Sequence, residues 1–214
     1  MWWNFDAAPT FAPLGMIVGA VFGYLLGSIP FGLVFTRMAG LGDIRTIGSG
    51  NIGATNVLRT GNKPLALATL LADGGKGAAA VLIVGILGGP MPSVAAGCAA
   101  FAGHIYPVWL NFKGGKGVAT FFGILIAFAW PIGLAAGASW IAMAFLFRYS
   151  SLAALAAALL APLLFVIGGL SWLAIPAALC SALIYWRHRP NIARLLAGKE
   201  PRIGEKADAA TAKP

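Results

Sequence analysis

Residues 117–147 read GVATFFGILIAFAWPIGLAAGASWIAMAFLF, thirty-one positions without one Asp, Glu, Lys or Arg. A bilayer core takes about 20 apolar residues per helix, so this run is too long for one crossing and too short for two full ones. Pro131 and Gly133 divide it, since a proline inside a helix loses a hydrogen bond and clashes with the preceding turn. The stretch therefore reads as two short helices, 117–130 and 131–147. Residues 151–186 repeat the pattern, with Gly168, Gly169 and Ser171 as the division. They read as helices over 151–168 and 171–187.

Working outward, apolar runs at 12–36, 64–88 and 92–110 bring the expected total to seven helices. Five long ones would give the same sidedness. Only 10% of the residues are charged and 59% are hydrophobic, whereas soluble globular chains run near ~25% charged. Strand-type alternation is absent, so a closed barrel is not expected. The first run has only Asp6 before it and no basic residue before Arg37, unlike the basic leader and short apolar core of a signal peptide. The expected fold is an all-α integral membrane protein, with residues 1–206 a single polytopic domain and 207–214 a short polar tail. Cys98 and Cys180 fall in apolar runs and read as packing residues.

The net charge of +9 is distributed to one side. With the N-terminus outside, the inside segments are 37–63, 109–117, 148–151 and everything from 187 on. They hold fourteen of the fifteen Lys and Arg residues, and Lys76 starts a helix that enters from that face. Positive charge gathers on the cytoplasmic side of membrane proteins, so the C-terminus is expected inside. The charge thus calls for no nucleic-acid partner.

Three polar segments break the pattern, all at that face. The first runs Gly48-Ser49-Gly50-Asn51-Ile52-Gly53-Ala54-Thr55-Asn56-Val57-Leu58-Arg59. Glycines admit a ligand close to the backbone, Ser49, Asn51 and Thr55 can hydrogen-bond oxygens, and Arg59 offers a planar fork for phosphate. The segment also matches G-x-G-x-x-G, but no strand precedes it and no βαβ unit follows, which excludes a dinucleotide site. The second segment holds His104, then Lys113-Gly114-Gly115-Lys116-Gly117 opening a helix. Free N–H groups, a positive dipole end and an ammonium suit an anion there. Gly117 stands where a Walker loop needs Ser or Thr. The same tetrapeptide occurs at Gly74-Gly75-Lys76-Gly77, where Asp73 lies three residues from Lys76 and can pair with it; Lys76 reads as structural and Lys116 as free. The third segment holds His188, Asn191, Arg194, Gly198 and Glu200. Attraction to anionic lipid explains its arginines, but not the His-x-x-Asn spacing.

Other chemistries lack their residues. Six acidic residues with no metal-ligand spacing, and two histidines 84 positions apart, argue against a metal centre and offer no evident carboxylate base. No G-x-S-x-G elbow is present. Nor is the His-x4-Asp pattern of one acyltransferase class, because Trp109 and Ala193 occupy the fifth positions. What remains is a cationic, hydrogen-bonding mouth on an apolar bundle, suited to a phosphorylated amphiphile.

These segments resemble the bacterial acyl-phosphate:glycerol-3-phosphate acyltransferase family (PlsY type). Residues 49–59 are similar to its first motif, Gly103-His104 with 112–120 to its second, and His188, Asn191, Arg194, Gly198 and Glu200 to its third. The resemblance spans roughly 15–206. It implies a seven-helix membrane bundle in the bacterial inner membrane, with its site open to the cytoplasm and no cofactor. It places catalytic roles on Ser49, Arg59, Lys116, His188 and Asn191. Phosphate binding would fall to Ser49, Asn51, Thr55, Arg59 and Gly114 to Gly117; His104, Asp73, Lys76 and Glu200 would support. The substrates would be glycerol 3-phosphate and acyl phosphate, the latter made by a soluble enzyme in transient contact, with membrane lipid around both. Either His188 or the substrate's own phosphoryl group would serve as base. The rival readings are a secondary transporter for an organic phosphate and a lipid-binding scaffold. The one-sided polar groups count against the first, and the two glycine-rich segments are left without purpose by the second.

Overall fold

The computed structural model describes residues 13–205. The expected outer N-terminus with Asp6, Lys206, and the polar tail with Lys213 lie outside the described residues. Among the described residues all regular structure is helical. The elements are α1 (Pro13–Gly27), α2 (Phe31–Met38), α3 (Ala54–Leu58), α4 (Lys63–Gly88), α5 (Pro90–Ile105), α6 (Val118–Phe128), α7 (Trp130–Phe147), α8 (Ser150–Ile167), α9 (Ser171–Arg187) and α10 (Arg189–Leu196).

Both anticipated divisions are present. Ala129 breaks the chain before Pro131, and Gly168 to Leu170 separate α8 from α9. Helix α6 is shorter than expected at 11 residues, about 16 Å at 1.5 Å per residue. The first run, expected as one helix over 12–36, is instead interrupted. Pro30 has no N–H to continue the ladder, and Ser28 Oγ turns back to the Tyr24 carbonyl at 2.7 Å. Five segments are long and apolar enough to cross a membrane, counting 13–38 as one, with α6 a shorter apolar helix.

Large apolar side chains point outward along these helices, Leu87 and Phe145 being 82% and 83% exposed. Such a surface is stable only against lipid. Helices α1 and α5 meet through small residues: Cβ atoms on Gly23 and Gly27 would overlap the Ala96 and Ala100 carbonyls. Ascending pairs mean that α1 and α5 run parallel, as two helices crossing in the same sense must. Tyr185 and Ser181 of α9 donate to the Leu155 and Ala158 carbonyls of α8, an antiparallel pairing. The apolar core gathers Phe101, Phe121, Leu125, Phe165, Leu173 and Ile184 from α5, α6, α8 and α9.

This alternation delivers the segments 39–62, 106–117, 148–149 and 188–205 to one end of the bundle, where hydrogen bonds tie them together.

Candidate active site

The first loop is held by a residue that sequence reasoning passed over. Asn56, at 1% exposure, donates from Nδ2 to the Ile44 carbonyl at 2.7 Å. Its Oδ1 accepts from Ser49 N at 3.2 Å and Ser49 Oγ at 3.3 Å. Ser49 is thereby fixed with its hydroxyl at the surface of the loop. The signal was in plain view: a second Asn inside the same motif. Asn51 Oδ1 is engaged by the Ile52 N–H at 3.0 Å, leaving its amide N–H2 as donor. Thr55 Oγ1 lies 3.4 Å from Ser150 Oγ.

Arg59 lies against Gly48, where any Cβ would crowd its guanidinium. Arg45 and Arg37, which flank the start of this segment in sequence, are both taken by Asp43, at 2.5 and 3.5 Å. Among the described residues Arg59 has no acidic partner.

The second loop corrects one expectation. Gly114 and Gly115 do not present free N–H groups: Gly114 N donates to Ile105 O at 3.0 Å and Gly115 N to His104 O at 3.1 Å. Their carbonyls receive Arg187, at 3.1 and 3.3 Å. Donors in a tight turn satisfy themselves locally before reaching for a ligand. These bonds fix the turn that carries Lys116. Gly117 then caps α6 with φ +81°, a left-handed conformation that glycine adopts without strain, while Phe101 fills the space a side chain would need.

Lys116 reaches the third segment. Its Nζ donates to Asn191 Oδ1 at 2.6 Å. Asn191 Nδ2 donates in turn to Glu200 Oε1 at 2.6 Å. Ser151 Oγ shares that oxygen at 2.7 Å, and Arg194 Nε takes Oε2 at 2.7 Å. Glu200 thus joins α8, α10 and, through Asn191, the Lys116 loop. Pro190 sets the first turn of α10 so that positions 191 and 194 face the same carboxylate. Ser151 carried no sequence signal.

Charge is unbalanced here. Burial lowers the Lys116 pKa to about 8, Glu200 opposing this while Arg194, Arg59 and Arg187 add to it. All three guanidinium groups therefore lie within electrostatic reach of one ammonium. Burial also pulls the His188 pKa to about 4, with Lys116 contributing. His188 is 2% exposed, and its Nδ1 stands 2.8 Å from the Ile184 carbonyl. A carbonyl only accepts, so Nδ1 carries the hydrogen and Nε2 the lone pair.

The structure therefore joins Lys116, Asn191, Glu200 and Ser151 in one hydrogen-bonded network, with Arg59 and His188 in electrostatic reach of Lys116, while Thr55 meets α8 at Ser150 and Ser49 is held on the same loop by Asn56. It does not bring in Asp73, Lys76 and His104, which form a separate buried cluster beneath the loops. No group of three metal-ligating side chains occurs among the described residues.

A family model for glycerol-3-phosphate acyltransferases matches residues 17–198. The chain belongs to the glycerol-3-phosphate acyltransferase family. Acyltransferases of that name from Maricaulis maris and Caulobacter vibrioides are 61% and 58% identical to it, over 89% and 97% of this chain and 88% and 96% of theirs. The fold agrees as well. The crystal structure of PlsY (YgiH), an integral membrane glycerol 3-phosphate acyltransferase in its glycerol 3-phosphate form, superposes with a TM-score of 0.84. It is 39% identical, and the match covers 88% of this chain and 96% of that one. Its lysophosphatidic acid form gives 0.83 at 38% identity, over 88% and 95% of the two chains. The chain is thus a multi-pass membrane acyltransferase acting on glycerol 3-phosphate, as the motifs implied.

Proposed function

We propose that the four loops gathered at this end form the acyltransfer site, that they face the cytoplasm of a bacterial inner membrane, and that the donor is acyl phosphate. The observation that carries this reading is the charge excess at Lys116: Arg59, Arg187 and Arg194 stand in reach of it, with Glu200 opposing them. The basic loops support a cytoplasmic placement, with the N-terminus outside and the C-terminus inside.

Two phosphorylated head groups must meet here. Like unit charges 4 Å apart repel by about 4 kcal/mol at a protein-surface dielectric, and each phosphate brings up to two. Arg59 and Lys116 offset that repulsion, with Ser49, Asn51 and Thr55 donating to phosphoryl oxygens and Gly117 opening the positive end of α6. The donor's alkyl chain stays among the apolar helices. The sn-1 hydroxyl oxygen attacks the acyl carbonyl carbon, the new ester C–O bond forms, and the bond to the phosphate oxygen breaks. Inorganic phosphate leaves, and lysophosphatidic acid remains in the membrane.

Acyl phosphate is already activated, so positioning and charge neutralisation supply most of the catalysis. The hydroxyl proton passes to the substrate's phosphoryl oxygen. A phosphate monoester titrates near ~6, whereas His188, at about 4, is a weaker base and serves through Nε2 as an acceptor that orients the hydroxyl. The soluble enzyme that makes acyl phosphate would deliver it at this same face.

Purified protein in detergent, given radiolabelled glycerol 3-phosphate, should form labelled lysophosphatidic acid with acyl phosphate and not with acyl-CoA. Label that only accumulates inside sealed vesicles would mean a transporter. Equal turnover of acyl-CoA would overturn the donor assignment.

A further inference from the structure

Beneath the site lies a polar cluster that the acyltransfer chemistry leaves unused. Asp73 and Lys76 of α4 pair at 2.7 Å with side chains 2% and 1% exposed. Lys76 Nζ also donates to the Ile29 carbonyl at 2.7 Å and sits 5.7 Å above the Phe31 ring. His104 Nδ1 is buried without a hydrogen-bond partner, 3.6 Å from Asp73 Oδ1. That gap is just beyond hydrogen-bonding range.

Apolar side chains of similar volume stabilise a core at least as well as a buried ion pair, so stability does not account for these charges. Their contacts lead in two directions. Ile29 lies at the α1–α2 interruption, and α2 carries Gly32 so close to the Ile52 carbonyl that a Cβ would overlap it. Ile52 belongs to the loop that presents Ser49 and Arg59. In the other direction, the His104 ring lies directly under Gly115, whose Cβ would collide with Nε2, and the next residue is Lys116. One buried cluster therefore touches the supports of both loops.

We propose that Asp73, Lys76 and His104 act as positioning residues, a brace that sets the spacing between the Ser49–Arg59 loop and Lys116 for the glycerol 3-phosphate head group. The inference rests on the assignment of Lys116 to phosphate binding. None of the three residues touches substrate.

The test pairs Asp73→Leu with Lys76→Met, removing both charges at similar volume, and separately makes His104→Phe, which keeps the ring under Gly115 without its nitrogen. The double variant should melt within a few degrees of wild type, raise KM for glycerol 3-phosphate about tenfold, and keep kcat within about threefold. KM for acyl phosphate should hold. His104→Phe should raise the same KM about fivefold, and Kd for glycerol 3-phosphate without donor should follow. Wild-type KM in a folded double variant overturns the brace; if that variant fails to fold, wild-type KM in His104→Phe does so. Were wild-type protein itself inactive with glycerol 3-phosphate, the acyltransfer reading would fall first and the brace with it.

Discussion

The Lys116 ammonium donates to the Asn191 amide oxygen across 2.6 Å, joining positions 75 apart in the chain. Asn191 is the one side chain suited to this place. It accepts from a cation on one side and donates to Glu200 on the other, which neither Asp nor Leu can do. Asn191→Asp would set a carboxylate against Glu200 and neutralise Lys116; Asn191→Leu would free Lys116 but leave Glu200 short of a donor. Both should lower kcat/KM for glycerol 3-phosphate by about a hundredfold, corresponding to ~2.7 kcal/mol. Aspartate should raise KM more, because it removes positive charge as well as position. Steady-state kinetics of the two variants check the order.

Lys116 predicts the alkaline side of the pH profile. Burial lowers its pKa to about 8, so the ammonium that binds phosphate is lost as pH rises through that value. KM for glycerol 3-phosphate should climb above pH 8 while kcat changes little. Lys116→Arg stays charged throughout, so its KM should be flat to pH 9.5 even if raised overall. Folding runs the other way: because the folded pKa is depressed, the unfolded chain binds more protons between about 8 and 10.5. Melting temperature should therefore gain from Lys116 across the window in which affinity falls. An alkaline limb unchanged in Lys116→Arg would detach it from this residue.

The acid side separates two bases that the sequence left open. On reference values, His188 and a phosphate monoester titrate together near 6–7. In the folded protein His188 falls to about 4 through burial, with Lys116 beside it, so it is neutral throughout the range in which the phosphate titrates. The acid limb of kcat/KM should then follow the substrate and persist in His188→Gln at reduced amplitude. A phosphonate isostere of glycerol 3-phosphate, whose second ionisation lies higher, should shift the limb upward. A limb that vanished in His188→Gln would return the base role to the imidazole.

How much of this was legible beforehand follows from the range of each interaction. Membrane span is a property of composition, summed along the chain, and Pro131 and Gly168–Ser171 mark real breaks. The Ser28–Pro30 interruption was missed although Pro30 is the same local signal as Pro131; only the support of its freed carbonyl by Lys76, 47 positions away, lay beyond local reading. Motif residues were legible because residue type alone limits them to anion chemistry. Their mutual contacts were not: Ser151 meets Glu200 49 positions on, and nothing local announces a serine at the start of α8. The glycine amides misled because the reading counted donors without asking which carbonyls lay opposite. Asn56 was quoted but given no role, although a buried amide pinning a loop is as necessary as the groups the loop presents.

Glu200 tests whether support and catalysis separate. Its side chain is 7% exposed. Burial pushes its pKa up, but hydrogen bonds from Asn191, Ser151 and Arg194 outweigh that and hold it below the ordinary 4.5. Since the folded pKa is the lower one, its stabilisation is present above the unfolded value and lost as pH falls through the folded one. Glu200→Gln keeps one acceptor for Asn191 and Ser151 but turns an N–H2 toward Arg194. That should cost about 1–3 kcal/mol, read as a lower melting temperature at pH 7, with a smaller difference from wild type below pH 4. Activity of the folded fraction should drop only severalfold, because Lys116 keeps Asn191. Loss comparable to Asn191→Leu with an unchanged melting temperature would make Glu200 part of the chemistry instead of its support.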